Sequence, residues 1–295
     1  MKPFDVAVIG GGPAGLSAAL VLGRCNQRVL LVDDGRYRND RTKIVNGFIT
    51  RDGTPPAMLR GIARGELARY DVAVVNIRAL GLERVDEGFR VQLGDGRDFT
   101  VRAVVLATGV VDVLPQIPGL LEHYGSTIHH CPFCDAYEHK GKRIGVHGRG
   151  GGQLARMLRA WTSDVILFAE GEVAADERVG LADAGVQLIE EPVAAFVGRQ
   201  GILSGAQLAS GEVIPVAAVF LKLAGGQVQR SDFATNLGVI VRADGGLEHD
   251  GHGATTVPGL YVAGDVTRDL LLSIVAASEG AEVAARVFHY LQELR

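Results

Sequence analysis

Two cysteines three residues apart, Cys131-Pro132-Phe133-Cys134, are followed at once by a carboxylate, Asp135. On a helical turn, residues at that spacing share a face, so the two sulfurs can close an easily reduced disulfide. Proline suits the first helical position. A thiol at a helix N-terminus is favoured as thiolate, the reactive form. Asp135, beside the second thiol, can shuttle its proton. A zinc reading competes, because His129, His130 and His139 flank the pair. Two cysteines with two histidines make a tetrahedral donor set. The Pro-Phe between the cysteines favours redox chemistry, and no metal is assigned.

A second constellation is Gly10-x-Gly12-x-x-Gly15, with Pro13 and Ala14 filling the turn. The first glycine permits a tight turn. The second lets the backbone approach a pyrophosphate, and the third lets helix and strand pack closely. The helix N-terminus behind the turn offers unpaired N–H groups and partial positive charge to phosphates. Asp33 ends the next apolar run, where a carboxylate accepts hydrogen bonds from ribose hydroxyls. Asp34 is the neighbouring alternative, and spacing favours Asp33.

The elements that must position these groups are readable. Phe4–Ile9 and Arg28–Val32 are continuous apolar runs, as buried parallel strands are, with a small-residue helix, Leu16–Gly23, between them. Ala57–Arg69 predicts a helix, and Asp71–Asn76 and Phe89–Leu93 predict strands. Gly94-Asp95-Gly96 is a hairpin turn. Val104–Ala107 predicts a strand ending at Thr108-Gly109, and Leu260–Ala263 one ending at Gly264-Asp265. Leu271–Leu294 predicts a long helix. A second strand–turn–helix begins at Arg143–His147, with the turn Gly148–Gly152, a helix over Gln153–Thr162 and a strand over Val165–Phe168. The expected fold class is α/β, with two Rossmann-like three-layer (ββα) dinucleotide-binding domains, the second inserted into the first. Residues 1–112 with 243–295 are assigned to the first, and 113–242, carrying the dithiol, to the second.

Gly10–Gly15, Val104–Gly109 (VVLATG) and Thr256–Asp265 (TVPGLYVAGD) together resemble the FAD-binding signature of flavoprotein disulfide reductases. The C-x-x-C-D in an inserted domain is similar to the low-molecular-weight thioredoxin reductases, over essentially the whole chain. A thioredoxin-like domain also carries Cys-Pro-aromatic-Cys, but here the motif follows a proline-marked connection rather than the first strand of a small βαβ fold. The resemblance implies FAD as cofactor, held by Gly10, Gly12, Pro13, Ala14, Gly15, Asp33, Thr108, Gly109, Gly264 and Asp265. It implies that Cys131 exchanges with the substrate, that Cys134 faces the flavin and that Asp135 is the acid and base. Asn46 falls where relatives place an FAD-contacting asparagine. A homodimer is implied too, as is a partner that is a small dithiol or disulfide, or a thioredoxin-like protein.

The second glycine turn departs from that family. It reads Gly148-Arg149-Gly150-Gly151-Gly152-Gln153, so the third-glycine position holds Gln153. A side chain of that size is expected to impede close helix–strand packing. The alternative frame, Gly150-x-Gly152-x-x-Ala155, moves the turn off the strand. The next strand ends in Glu170 without the arginines that hold a 2′-phosphate, and Leu272-Ser273-Ile274 stands where many relatives have Arg-Gln-Ala. These departures, with Ala276–Gly280, resemble a branch that keeps FAD and the dithiol but has lost pyridine-nucleotide use. That branch includes dithiol oxidases of gliotoxin- and holomycin-type metabolites. The expected function is FAD-dependent thiol–disulfide exchange at Cys131 and Cys134 without NADPH. Rival functions are an NAD(P)H-dependent thioredoxin reductase, a ferredoxin-dependent disulfide reductase and a non-enzymatic zinc- or FAD-binding regulator.

Composition bounds the rest. Over 295 residues, 30 Lys+Arg against 34 Asp+Glu leave a net charge of −4, which argues against a nucleic-acid coat or an anionic-membrane binder. No run approaches the ~18 apolar residues of a membrane span. Three cysteines are too few for a disulfide scaffold, so a cytoplasmic protein is expected. Cys25 and Trp161 read as core residues, His129 and His130 as surface or supporting residues, and Arg36–Lys43 as a solvated loop.

Overall fold

The computed structural model describes residues 3–223, 226–268 and 270–294. The chain forms two compact units. The first comprises Met1–Asp40, Phe48–Val111 and Val228–Arg295, and the second Arg41–Gly47 and Asp112–Gln227. Each is a three-layer α/β unit of the expected class.

In the first unit, five parallel strands run in the order Leu260–Val262, Ala103–Leu106, Val6–Ile9, Val29–Val32, Val72–Val75. Four of the five are buried at every position, which is why their sequences lack polar alternation. Side-chain alternation sorts the core into two faces. Val6 and Val8 pack with Leu16, Ala18, Ala19 and Leu22 of the helix Pro13–Arg24 and with Val283 and Val287 of the helix Ser273–Glu293. Ala7 and Ile9 pack on the other side, with Phe89, Val91 and Val101. Those belong to the antiparallel sheet Ala79–Val85, Gly88–Leu93, Asp98–Val101. A helix as short as Pro13–Arg24 is marginal alone in water. Its packed face holds it, at about 1.5–3 kcal/mol per fully buried Leu.

The second unit repeats the plan. Its parallel order is Val186–Ile189, Val165–Phe168, Ile144–His147, Ala218–Leu221, Ile128–His129. Ile144 and Val146 face Ala155 and Leu158 of the helix Gly152–Leu158. Ile166, Phe168 and Val219 face Phe196, Leu203 and Ala206 of the antiparallel layer Val193–Arg199, Ile202–Leu208, Val213–Pro215.

Residues 228–242, expected in the inserted domain, lie in the first unit. The helix Phe233–Asn236 buries Ala234, and Val239 follows it into the core around Ile9 and Leu106. Residues 41–47, expected in the first domain, lie in the second unit. Cys25 caps the first helix and is half-exposed rather than buried. Trp161 packs partly buried against the second unit's core, as expected.

Candidate functional site

The dithiol sits on the short helix Pro132–Asp135, with Cys131 as its N-cap. Proline fills the first helical position and starts the turn where the sequence places it. Cys131 and Cys134 are joined as a disulfide, their Cα atoms 5.3 Å apart. The Cys134 N–H donates to Cys131 Sγ at 3.2 Å. Once the bond is reduced, that donor stabilises a thiolate at Cys131. Both cysteines are half-buried, whereas Phe133 between them is exposed. Asn46 is placed here too, with its Nδ2 donating to the Cys134 carbonyl at 2.8 Å.

Beside the turn lies a chain of three titratable groups, a half-buried Asp135 and two buried histidines. His129 Nδ1 is 3.4 Å from Asp135 Oδ2. His129 Nε2 is 3.1 Å from His139 Nε2. Both rings are buried and pack on Phe220. Burial first, then the neighbouring His129, pushes the His139 imidazole down to about 4. His139 is therefore neutral at pH 7. An ionised carboxylate only accepts, so an ionised Asp135 calls for N–H at His129 Nδ1. The His129 and His139 Nε2 atoms share one hydrogen bond, and His139 Nδ1 has no hydrogen-bond partner among the described residues. His129 is thus buried, which fits the supporting rather than the surface alternative expected for it. The sequence shows the three residues clustered along the chain, but their pairing comes from the strand Ile128–His129 docking beside Ala218–Leu221. His130 turns the other way, its Nδ1 2.8 Å from the Tyr124 hydroxyl.

The first glycine turn has the geometry of a dinucleotide cradle. A Cβ at Gly10 would lie 2.2 Å from the Ala107 carbonyl oxygen, and one at Gly15 would lie 1.8 Å from the Gly10 oxygen. Both positions therefore exclude any side chain. The space around Gly12 is open instead, with no heavy atom within 4 Å of a Cβ built there. Pro13 and Ala14 open the helix, and no side chain caps its N-terminus. Thr108 and Gly109 end the neighbouring strand, Thr108 within 3.3 Å of Ser231. Asp33 is buried, and its carboxylate accepts from Arg64, Tyr37 and the Gly35 N–H. Asp265 pairs with Arg38 at 3.1 Å. The Arg36–Lys43 run is thus only partly solvated, since Arg38 packs inward. The turn before Asp265 is fixed by Glu279, which accepts from the Gly264 N–H at 2.7 Å. Arg38, Arg64 and Glu279 were not assigned from sequence, because each reaches its partner through the fold. These groups fit FAD: an open, uncapped helix N-terminus for the pyrophosphate and an oriented carboxylate for the ribose.

At the second turn, Gln153 does not impede packing as expected. It is exposed, and the tight contacts move to neighbouring residues. A Cβ at Gly151 would meet Val146, Leu167 and the Gly148 oxygen at 3.0 Å each, and Ala155 is fully buried. The helix starts at Gly152, four residues after Gly148, whereas the first helix starts at Pro13, three residues after Gly10. The Glu177 carboxylate leans over it, with Oε1 2.2 Å from a Cβ built on Gly152.

A profile of pyridine nucleotide-disulphide oxidoreductases matches residues 4–281. The chain belongs to this family. Within it, the chain is 38% identical to a "Probable thioredoxin reductase" of Arthroderma benhamiae over 57% of its own length and 44% of that protein's. It spans 56% of "Thioredoxin reductase tcpT" of Claviceps purpurea, so it covers about half the length of these two curated relatives. It is 29% identical to "Thioredoxin reductase aclD" of Aspergillus oryzae over 98% of this chain and 96% of that one. Among solved structures, the crystal structure of HlmI superposes with a TM-score of 0.94 at 36% identity, covering 99% and 93% of the two chains. A putative thioredoxin reductase of Bacillus anthracis superposes at 0.93 and 29% identity, covering 99% of each. The chain is thioredoxin reductase-like in sequence and fold, and FAD is the cofactor of this flavoprotein family. No helix among its described residues is long and apolar enough to cross a membrane.

Proposed function

We propose that the protein is a thiol–disulfide oxidoreductase that cycles the Cys131–Cys134 pair without NADPH, in the direction of oxidising a dithiol. The observation that carries this reading is the Glu177 carboxylate against Gly152, where the anionic pyrophosphate of a nicotinamide dinucleotide would need a helix N-terminus free of negative charge. Glu170, exposed at the end of the adjacent strand, adds a second negative charge.

In the proposed cycle a substrate thiolate attacks Cys131 Sγ. The bond to Cys134 breaks and Cys134 leaves as thiolate. A second substrate thiol then attacks the mixed disulfide and loses its proton to Asp135, which His129 keeps oriented. The substrate departs as a disulfide and Cys131 as a thiolate, which the Cys134 N–H stabilises. Two electrons have passed from substrate to protein. Bound FAD would supply the two-electron acceptor that restores the disulfide, with O₂ or another external acceptor taking the electrons onward. Gly10, Gly12, Pro13, Ala14, Gly15, Asp33, Thr108, Gly109, Gly264 and Asp265 are the residues we assign to hold it. The net direction follows the donor and acceptor potentials, about 30 mV for each ~1.4 kcal/mol. A small dithiol or a thioredoxin-like protein is the proposed partner, in a homodimer in the cytoplasm.

The test is anaerobic mixing of the yellow protein with dithiothreitol, NADPH or NADH while flavin absorbance is followed. Dithiothreitol should bleach it and the nucleotides should not. Cys134→Ser should keep FAD and lose the response. Rapid bleaching by NADPH would overturn the reading. An NAD(P)H-dependent reductase is the second reading. Arg149 favours it, since its guanidinium lies 3.5 Å from a Cβ built on Gly171, just beyond the strand end where a nucleotide ribose would sit.

A further inference from the structure

We infer that Asn46 is a positioning residue of the dithiol, a role distinct from the cofactor contact its place in the sequence suggests. The inference rests on the proposed thiol–disulfide function of the Cys131–Cys134 pair. Residues 41–47 follow the first βαβ segment in sequence, yet they pack as part of the second unit. The start of this strap is pinned by Arg41: its guanidinium donates to the Leu121 carbonyl at 3.4 Å, and its own carbonyl oxygen lies 2.4 Å from a Cβ built on Gly125. Its end is pinned by Asn46, whose amide donates to the Cys134 carbonyl at 2.8 Å. That carbonyl belongs to the same residue whose N–H donates to Cys131 Sγ. Both backbone polar groups of Cys134 are therefore engaged, one by the strap and one by the partner sulfur.

The helix that carries the cysteines has only four residues. It cannot hold its own shape, because a single turn is an unfavourable helix nucleus. An external donor on its backbone fixes the Cys134 peptide plane. With it are fixed the direction of the N–H that stabilises Cys131 thiolate and the position of Cys134 Sγ as leaving group. Asparagine is suited to this, because its amide is a neutral donor. Aspartate, with the same shape, presents only acceptors to the carbonyl.

The test uses the full FAD-loaded protein and the variants Asn46→Asp and Asn46→Leu. Each is equilibrated anaerobically in dithiothreitol buffers of graded ratio and quenched with iodoacetamide. Mass analysis then reads the disulfide fraction and which of Cys131 and Cys134 is alkylated first. FAD affinity is measured separately by flavin fluorescence. Loss of this hydrogen bond should change the dithiol–disulfide ratio at a fixed buffer by about fivefold. It should also favour alkylation of Cys134 over Cys131, with FAD affinity kept within about twofold of the parent. Disulfide ratios and alkylation order unchanged in both variants would overturn the inference. So would changes that track a loss of FAD and vanish at saturating FAD, which would return Asn46 to the cofactor. Failure of the underlying function shows elsewhere: Cys131→Ser or Cys134→Ser would still oxidise dithiols, whatever the Asn46 variants do.

Discussion

His129 Nδ1 stands 3.4 Å from Asp135 Oδ2, the imidazole buried and the carboxylate half-buried. The carboxylate beside Cys134 is therefore not a free-swinging acid. It is held by an imidazole whose own far nitrogen is held by His139.

Replacing His129 by Gln should leave the disulfide in place and slow dithiol oxidation about 10- to 100-fold, the low end of what a positioned acid–base group contributes. Asp135→Asn should cost at least as much. Steady-state turnover across pH 6–9 checks it. In the His129 variant the rate should depend on pH differently from the parent, because Asp135 has lost its fixed neighbour. Equal pH profiles would mean that the histidine only fills space.

Gly15→Ala should break the cofactor cradle. The added methyl falls 1.8 Å from the Gly10 oxygen, so strand and helix must separate. Overpacking of this kind costs about 1–3 kcal/mol of stability. FAD should be largely absent from the purified variant, read from its absorbance ratio. Gly12→Ala, with open space at its Cβ, should fold as stably as the parent and differ only in FAD affinity.

Asp33→Asn should weaken FAD binding about tenfold or more, since hydrogen bonds to a charged group contribute about 1.5–3 kcal/mol. Arg64 and Tyr37 would lose their carboxylate as well. Flavin fluorescence on dilution gives the dissociation constant. An unchanged constant would remove Asp33 from the cofactor site.

Stability should fall on acidification through His139. Its folded value is pushed down to about 4, below the ordinary imidazole value of 6.5. Below pH 6.5 the unfolded chain therefore binds a proton that the folded one refuses. The stability associated with a neutral His139 is present above 6.5 and drains away between 6.5 and about 4. Its size is on the order of 2 kcal/mol after allowance for solvent screening. Burial lowers His147 as well, in the same direction. Urea midpoints from pH 7 to 4 should drop less steeply in His139→Leu than in the parent.

The glycine turn at Gly10–Gly15, its strand and its acid were legible because each depends on neighbours within one βαβ unit. The fold class followed from the same local patterns, repeated at Arg143. What escaped depended on distant parts of the chain. Gln153 was expected at a packing position because the second turn was counted in the register of the first. The helix starts elsewhere, and the side chain points to water. Residues 228–242 carry no strong periodicity, so only the burial of Ala234 and Val239 assigns them to the first unit. His129 and Asp135 are six residues apart in sequence, and nothing local says that both turn inward. The sequence points Asn46 toward a cofactor contact, and the partner the structure gives it is a backbone carbonyl 88 positions away.

The first unit is assembled from three stretches of chain, and the last begins at Val228. Its sheet lacks the edge strand Leu260–Val262, and its first helix lacks the cover of Ser273–Glu293, until the chain has been made through residue 293. The second unit needs nothing beyond Gln227. During synthesis the dithiol turn can therefore be complete while Val6, Val8 and Leu22 still lack part of their cover. The nascent protein acquires its thiols' scaffold before it can retain a cofactor, and the exposed strands of the opening segment are where a holding chaperone would bind it.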